Sequence, residues 1–81
     1  MSYSRKDVEK LIIEILTRYS DNGILFEELR NELESVGIYI DGVFLRKTIA
    51  DMIRNGIICK EVSSSKKRFY LILCRKRINN L

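Results

Sequence analysis

The sequence predicts a small α+β domain of three helices, a short first strand and a C-terminal two-stranded β-hairpin. Three observations predict it. Apolar residues recur at the i, i+3, i+4 spacing in three segments between Arg5 and Asn55. β-Branched and aromatic residues then fill two strand-like runs on either side of a polar, basic stretch. The four glycines, Gly23, Gly37, Gly42 and Gly56, all fall where the hydrophobic period changes, which is where turn conformations are needed.

The first helix is expected from about Arg5 to Tyr19. Ser4 can cap it, with Asp7 three residues on, and Val8, Leu11, Ile12, Ile15, Leu16 and Tyr19 form its buried stripe. Ser20, Asp21, Asn22 and Gly23 stop it. Ile24 and Leu25 read as the short extended piece. The second helix follows, roughly Phe26 to Val36, with Glu27 and Glu28 complementing the dipole in its first turn and Gly37 as its C-terminal stop. Asp41 is a good N-cap for a third helix from about Gly42 to Asn55. At 100° per residue, Leu45, Ile49, Met52 and Ile53 share one side, Val43, Lys47, Asp51 and Arg54 the other, and Arg46 and Ala50 lie on the flank. Ile57 to Val62 and Phe69 to Cys74 read as the strands of the hairpin, joined by residues 63–68. The chain is expected to be one domain over residues 1–81, with its core in 5–74 and a basic tail at 75–81 that frays.

Composition narrows the function. With 81 residues, 46% of them apolar, the chain is long enough for one core. It has no His, which removes the commonest general base and transition-metal ligand. No nucleophile–base pair or metal cluster can be named, so neither an enzyme nor a cofactor is expected. Charge is strongly segregated. Residues 1–41 carry five basic and nine acidic side chains, a net of −4, whereas residues 42–81 carry ten basic side chains against Asp51 and Glu61, a net of +8. Such polarity within one domain points to a basic face that meets a polyanion.

Two segments carry a more specific signal: Gly23-Ile24-Leu25-Phe26-Glu27-Glu28-Leu29, and Leu45, Ile49 and Met52 followed by Gly56-Ile57-Ile58. In that order they resemble a winged helix-turn-helix domain of the small transcription-regulator type, and the likeness covers residues 5–74. The chain departs from the family's pattern at Leu25, where Ser or Thr usually caps the second helix. It also departs in residues 37–42, about two residues longer than the tightest turn of this kind. The resemblance implies that the third helix enters the major groove of double-stranded DNA. Val43, Arg46, Lys47 and Ala50 would then face base edges and Arg54 the backbone. Arg46 can donate two parallel hydrogen bonds to guanine, and Lys47 can donate to the same acceptors or to phosphate. In the hairpin wing and tail, Ser63, Ser64, Ser65, Lys66, Lys67, Arg68, Arg75, Lys76 and Arg77 are expected on phosphates.

The two cysteines, Cys59 and Cys74, make a poor zinc site without His or a third Cys. A hairpin centred between Lys66 and Lys67 would set them opposite one another, so a cross-strand disulfide is geometrically conceivable. Two reduced, half-buried thiols are the expected state. Tyr39, Phe44 and Ile13 lie off the main stripes and read as satellite core or ordinary exposed apolar surface, with a homodimer contact as the sharper reading. The N-terminus is polar and no apolar run is long enough to span a bilayer, so no membrane association is expected. The expected location is the cytoplasm, with the nucleoid. Sequence-specific regulation of transcription is the leading expectation. The alternatives are a protein-interaction module within a replication or transcription complex, and a non-specific nucleic-acid-binding protein.

Overall fold

The computed structural model describes residues 4–19, 22–63 and 68–74. Its elements follow the order α1 (Arg5–Tyr19), α2 (Phe26–Ser35), α3 (Gly42–Arg54), β1 (Ile58–Ser63) and β2 (Arg68–Leu73). The result is a small α+β arrangement of three helices and one antiparallel hairpin.

Local chemistry sets the helix ends. The Ser4 Oγ accepts a hydrogen bond from the Asp7 N–H at 3.1 Å and starts α1. Leu25 offers no capping oxygen to α2, but the Glu28 carboxylate reaches back to the Leu25 N–H at 3.0 Å, so one orphan donor is satisfied from within the first turn. Asp41 caps α3 through one carboxylate oxygen, which accepts from Val43 N–H at 3.1 Å and Phe44 N–H at 3.2 Å. At the far end of α2, Gly37 has φ +86°. The N–H of Gly37 bonds to the Glu34 carbonyl and that of Ile38 to the Leu33 carbonyl, both at 2.9 Å. This pattern needs the left-handed residue that glycine supplies, and it turns Ile38 back into the core. Gly56 closes α3 in the same way, with Ile57 N–H on the Met52 carbonyl at 2.9 Å.

The core is one cluster. Val8, Ile12, Ile15 and Leu16 of α1 pack with Leu29 and Leu33 of α2, with Leu45, Ile49 and Met52 of α3, and with Ile24, Ile38, Ile58 and Leu71. Thr48, which the apolar pattern omits, is also buried, and its hydroxyl donates to the Phe44 carbonyl at 2.9 Å. The expected short first strand is reduced to a single bridge: Ile24 and Leu71 exchange backbone hydrogen bonds of 3.0 and 2.8 Å.

The hairpin corrects two expectations. Its strands pair from Ile58↔Leu73 to Ser63↔Arg68, so Ser63 and Arg68 belong to the ladder rather than to the connection. Cys59 therefore lies opposite Ile72, and Cys74 donates its N–H to the Ile57 carbonyl at 3.0 Å. The expected register would have set Ile58 against Arg75. The observed one sets Ile58 against Leu73, apolar against apolar at the edge of the core. The second correction concerns the thiols. Cys59 and Cys74 are diagonal neighbours with Cα atoms 5.1 Å apart, and they form a disulfide rather than two reduced thiols. Alternation puts this bond on the face of the hairpin away from Ile58 and Leu71.

Candidate nucleic-acid interface

Because Leu45, Thr48, Ile49 and Met52 turn inward, the opposite side of α3 is free of the core. Val43 is 63% exposed, and Arg46, Lys47, Ala50 and Arg54 are exposed as well. The five α3 residues expected to meet DNA thus share one solvent-facing surface, but their side chains are not equivalent. The Arg54 guanidinium is held at 2.6 Å by Asp51, which also takes a hydrogen bond from Arg5 at the start of α1. The bond from Arg5, helped by its charge and by Arg54, keeps the Asp51 carboxyl below its ordinary value against a partial desolvation that acts the other way. The sole carboxylate of α3 is thereby neutralised locally, and the helix end keeps a net positive balance. Among the described residues no carboxylate pairs with Lys47.

Arg46 departs from a simple groove-facing position. Its guanidinium lies over the Phe26 ring, 5.0 Å from the centroid. On the hairpin, Lys60 lies over the Phe69 ring at 4.8 Å. Both pairs line a cleft of about 410 Å³, Phe26 and Arg46 from the helices and Lys60 and Phe69 from the hairpin, with Ile49, Ile53 and Leu71 among its lining. The cleft's one carboxylate, Glu27, is bound to Arg68 at 2.7 Å. Arg68 therefore reaches toward the start of α2. Sequence reasoning missed Phe26, Lys60 and Phe69. The signal was available in the alternation of the strand, since Lys60 sits between Ile58 and Val62 on the inward parity and Phe69 pairs with Val62. What hid it was that Lys60 lies outside the basic runs.

No family model, curated protein or solved structure matches this chain.

Other expected residues fall elsewhere. Ser63 ends β1, while Ser64, Ser65, Lys66, Lys67, Arg75, Lys76 and Arg77 lie outside the described residues. Ile13 is half-buried against the core and lines a second, apolar cleft of about 420 Å³ with Leu11 and Val36. Tyr39 is 74% exposed and Phe44 sits at the boundary of exposure. Among the described residues no group of His, Cys, Asp and Glu is assembled for a metal ion, and no helix is long and apolar enough to cross a membrane.

Proposed function

We propose that the chain is a winged helix-turn-helix domain that binds double-stranded DNA as a sequence-specific transcription regulator, by binding alone and without catalysis. One observation carries this reading. The outward face of α3 presents exposed Val43, Lys47 and Ala50, and its single acid, Asp51, is already engaged by Arg5 and Arg54. A helix approaches a polyanion more readily when the carboxylates near its leading face are already paired with cations. The order of elements supports the reading too, with the Ile24 bridge before α2 and the hairpin directly after α3. In this arrangement α3 lies in the major groove. Val43 is suited to a thymine methyl group and Lys47 to guanine or phosphate. In this reading Ser63, Arg68 and the basic residues of the connection and tail would supply the wing's phosphate contacts.

Fluorescence anisotropy with a blunt mixed-sequence duplex, titrated over salt, tests the reading. Binding should weaken steeply with salt, and Lys47→Ala should either flatten the slope by about one unit or narrow the gap between preferred and scrambled sequences. Replacing Lys66, Lys67 and Arg68 together with Ala should flatten the slope by up to about three units. Absence of duplex binding at low salt defeats the proposal.

A second reading, in which this end of the molecule packs on a protein or a second copy, is favoured by one feature. Of the six exposed large hydrophobics among the described residues, Val36, Tyr39, Val43 and Phe44 all fall in the α2–α3 connection and the first turn of α3. That reading gains if Lys47→Ala abolishes capture of a partner while duplex affinity is unchanged.

A further inference from the structure

The cleft between α3 and the hairpin has a chemistry that duplex binding does not require. A duplex presents phosphates and groove edges, while the flat faces of its bases are stacked inside. Charged and hydrogen-bonding groups suffice to meet that surface. The cleft instead combines an apolar lining, supplied by Ile49, Ile53 and Leu71, with two cation–aromatic pairs, one from the helices and one from the hairpin. Its mouth is apolar as well. Phe69 is 57% exposed and its cross-strand partner Val62 is 63% exposed, on the face of the hairpin that is buried nearer its root. The core therefore runs out before the inward-facing side chains do, leaving an aromatic ring in water beside a lysine.

Each component selects for a flat, anionic ligand. The Arg46 guanidinium, 5.0 Å from the Phe26 ring centroid, brings to the cleft a planar cation of the kind on which bases stack. Phe69 offers a second ring surface, and Lys60 beside it supplies a charge for a phosphate. Among the described residues neither Arg46 nor Lys60 is paired with a carboxylate, and Glu27 at the cleft is occupied by Arg68. The volume, about 410 Å³, lies in the range of small-ligand sites. An acidic peptide would satisfy the charges but would make little use of a planar guanidinium and an exposed aromatic ring in one cleft.

We propose that this cleft holds one unpaired nucleobase of DNA, stacked between the Arg46 guanidinium and the Phe69 ring with its phosphate on Lys60, so that the protein prefers DNA with an unpaired flank to a blunt duplex. The proposal rests on the reading that the chain binds DNA, and extends it from the outer face of α3 to the cleft that adjoins it through Arg46 and Ala50. Phe69 contributes to the unpaired base alone, since it lies on the hairpin and not on the groove-facing side of α3.

The test compares anisotropy titrations of a blunt duplex with the same duplex carrying four unpaired thymidines at the 3′ or the 5′ end, and with the thymidine strand alone. One of the overhangs is expected to bind about 5- to 100-fold more tightly than the blunt end. Phe69→Ala should erase that preference while leaving blunt-duplex affinity unchanged, and Phe69→Tyr should keep it. Equal affinity for blunt and overhanging duplexes overturns the proposal, as does a preference that survives Phe69→Ala. Failure of the duplex reading looks different: the blunt duplex does not bind, yet the single strand binds in a Phe69-dependent manner, and the cleft assignment then stands by itself.

Discussion

At the residue scale, Asp51 links three parts of the molecule. It joins the start of α1 through Arg5 and the last turn of α3 through Arg54, and both contacts favour its ionised form. The sign of the resulting pH dependence follows. A carboxyl whose folded value lies below its unfolded value of about 3.8 adds stability at higher pH, and that stability is lost as pH falls through the depressed value. Melting temperatures taken from about pH 6 to about pH 2 should therefore fall less steeply for Asp51→Asn than for the parent chain. A parallel fall would mean that Arg5 and Arg54 do not discriminate between the two protonation states. Gly23 matters for a different reason. It has φ +76°, and a Cβ there would stand 3.1 Å from the Tyr70 Cβ and 3.2 Å from the Leu71 carbonyl oxygen. Gly23→Ala should destabilise the fold by about 1–3 kcal/mol, read as a lower urea midpoint with an unchanged slope. The sequence marks Gly23 as a turn residue, but the close approach of β2 is a long-range contact that periodicity does not carry.

At the element scale, the hairpin is held at its root and extends beyond the core toward Val62 and Phe69. The root is secured three times over: by Ile58 and Leu71 in the core, by the Ile24 bridge, and by the Cys59–Cys74 disulfide on the outer face. The cysteines are 15 residues apart, so the bond constrains the unfolded chain appreciably. Reduction, or Cys59→Ala with Cys74→Ala, should cost about 2–3 kcal/mol in denaturant titrations. No thiol should react in the unfolded, unreduced chain. The sequence permitted the pairing but favoured free thiols, because residue counts assign no register to a hairpin whose turn is undefined. Register was decided by which apolar residues meet at the core edge. Farther along the hairpin, Arg68 and Glu27 form an exposed pair between β2 and α2. Such a pair contributes little to stability, and Glu27→Gln should shift it by no more than about 1 kcal/mol. The same change releases Arg68 and removes a negative charge from the cleft. Duplex affinity at low salt is expected to rise by about two- to fivefold, and no rise would place Arg68 and Glu27 away from DNA.

At the scale of the whole molecule, the segregation of charge along the chain becomes a segregation of roles. Residues 1–41, net −4, supply α1 and α2, which together with Ile24 and Ile38 contribute eight of the thirteen buried apolar residues among those described. Residues 42–81, net +8, supply α3 and the hairpin, which carry the candidate interface. One acid of the first segment, Glu27, is paired with a cation of the second, Arg68, and Asp41 is spent on capping α3. The interface therefore keeps its positive field at low ionic strength and loses it as salt rises. Among the described residues, Arg46 and Lys60 line the cleft between helix and hairpin without a carboxylate partner.

The sequence by itself determined what depends on neighbours along the chain. The boundaries of α1, the Ser4 and Asp41 caps, the stops at Gly37 and Gly56 and the outward face of α3 all follow from local propensity and from 3.6-residue periodicity. The tertiary structure decided what depends on residues far apart. It paired Ile24 with Leu71, joined Cys59 to Cys74, set Arg5 on Asp51, and laid Arg46 over Phe26 in one cleft with Lys60 and Phe69. Those contacts span elements whose mutual placement is fixed by burying Ile12, Leu16, Leu29 and Leu45 in a common core, and no local pattern records where the surfaces around that core will meet.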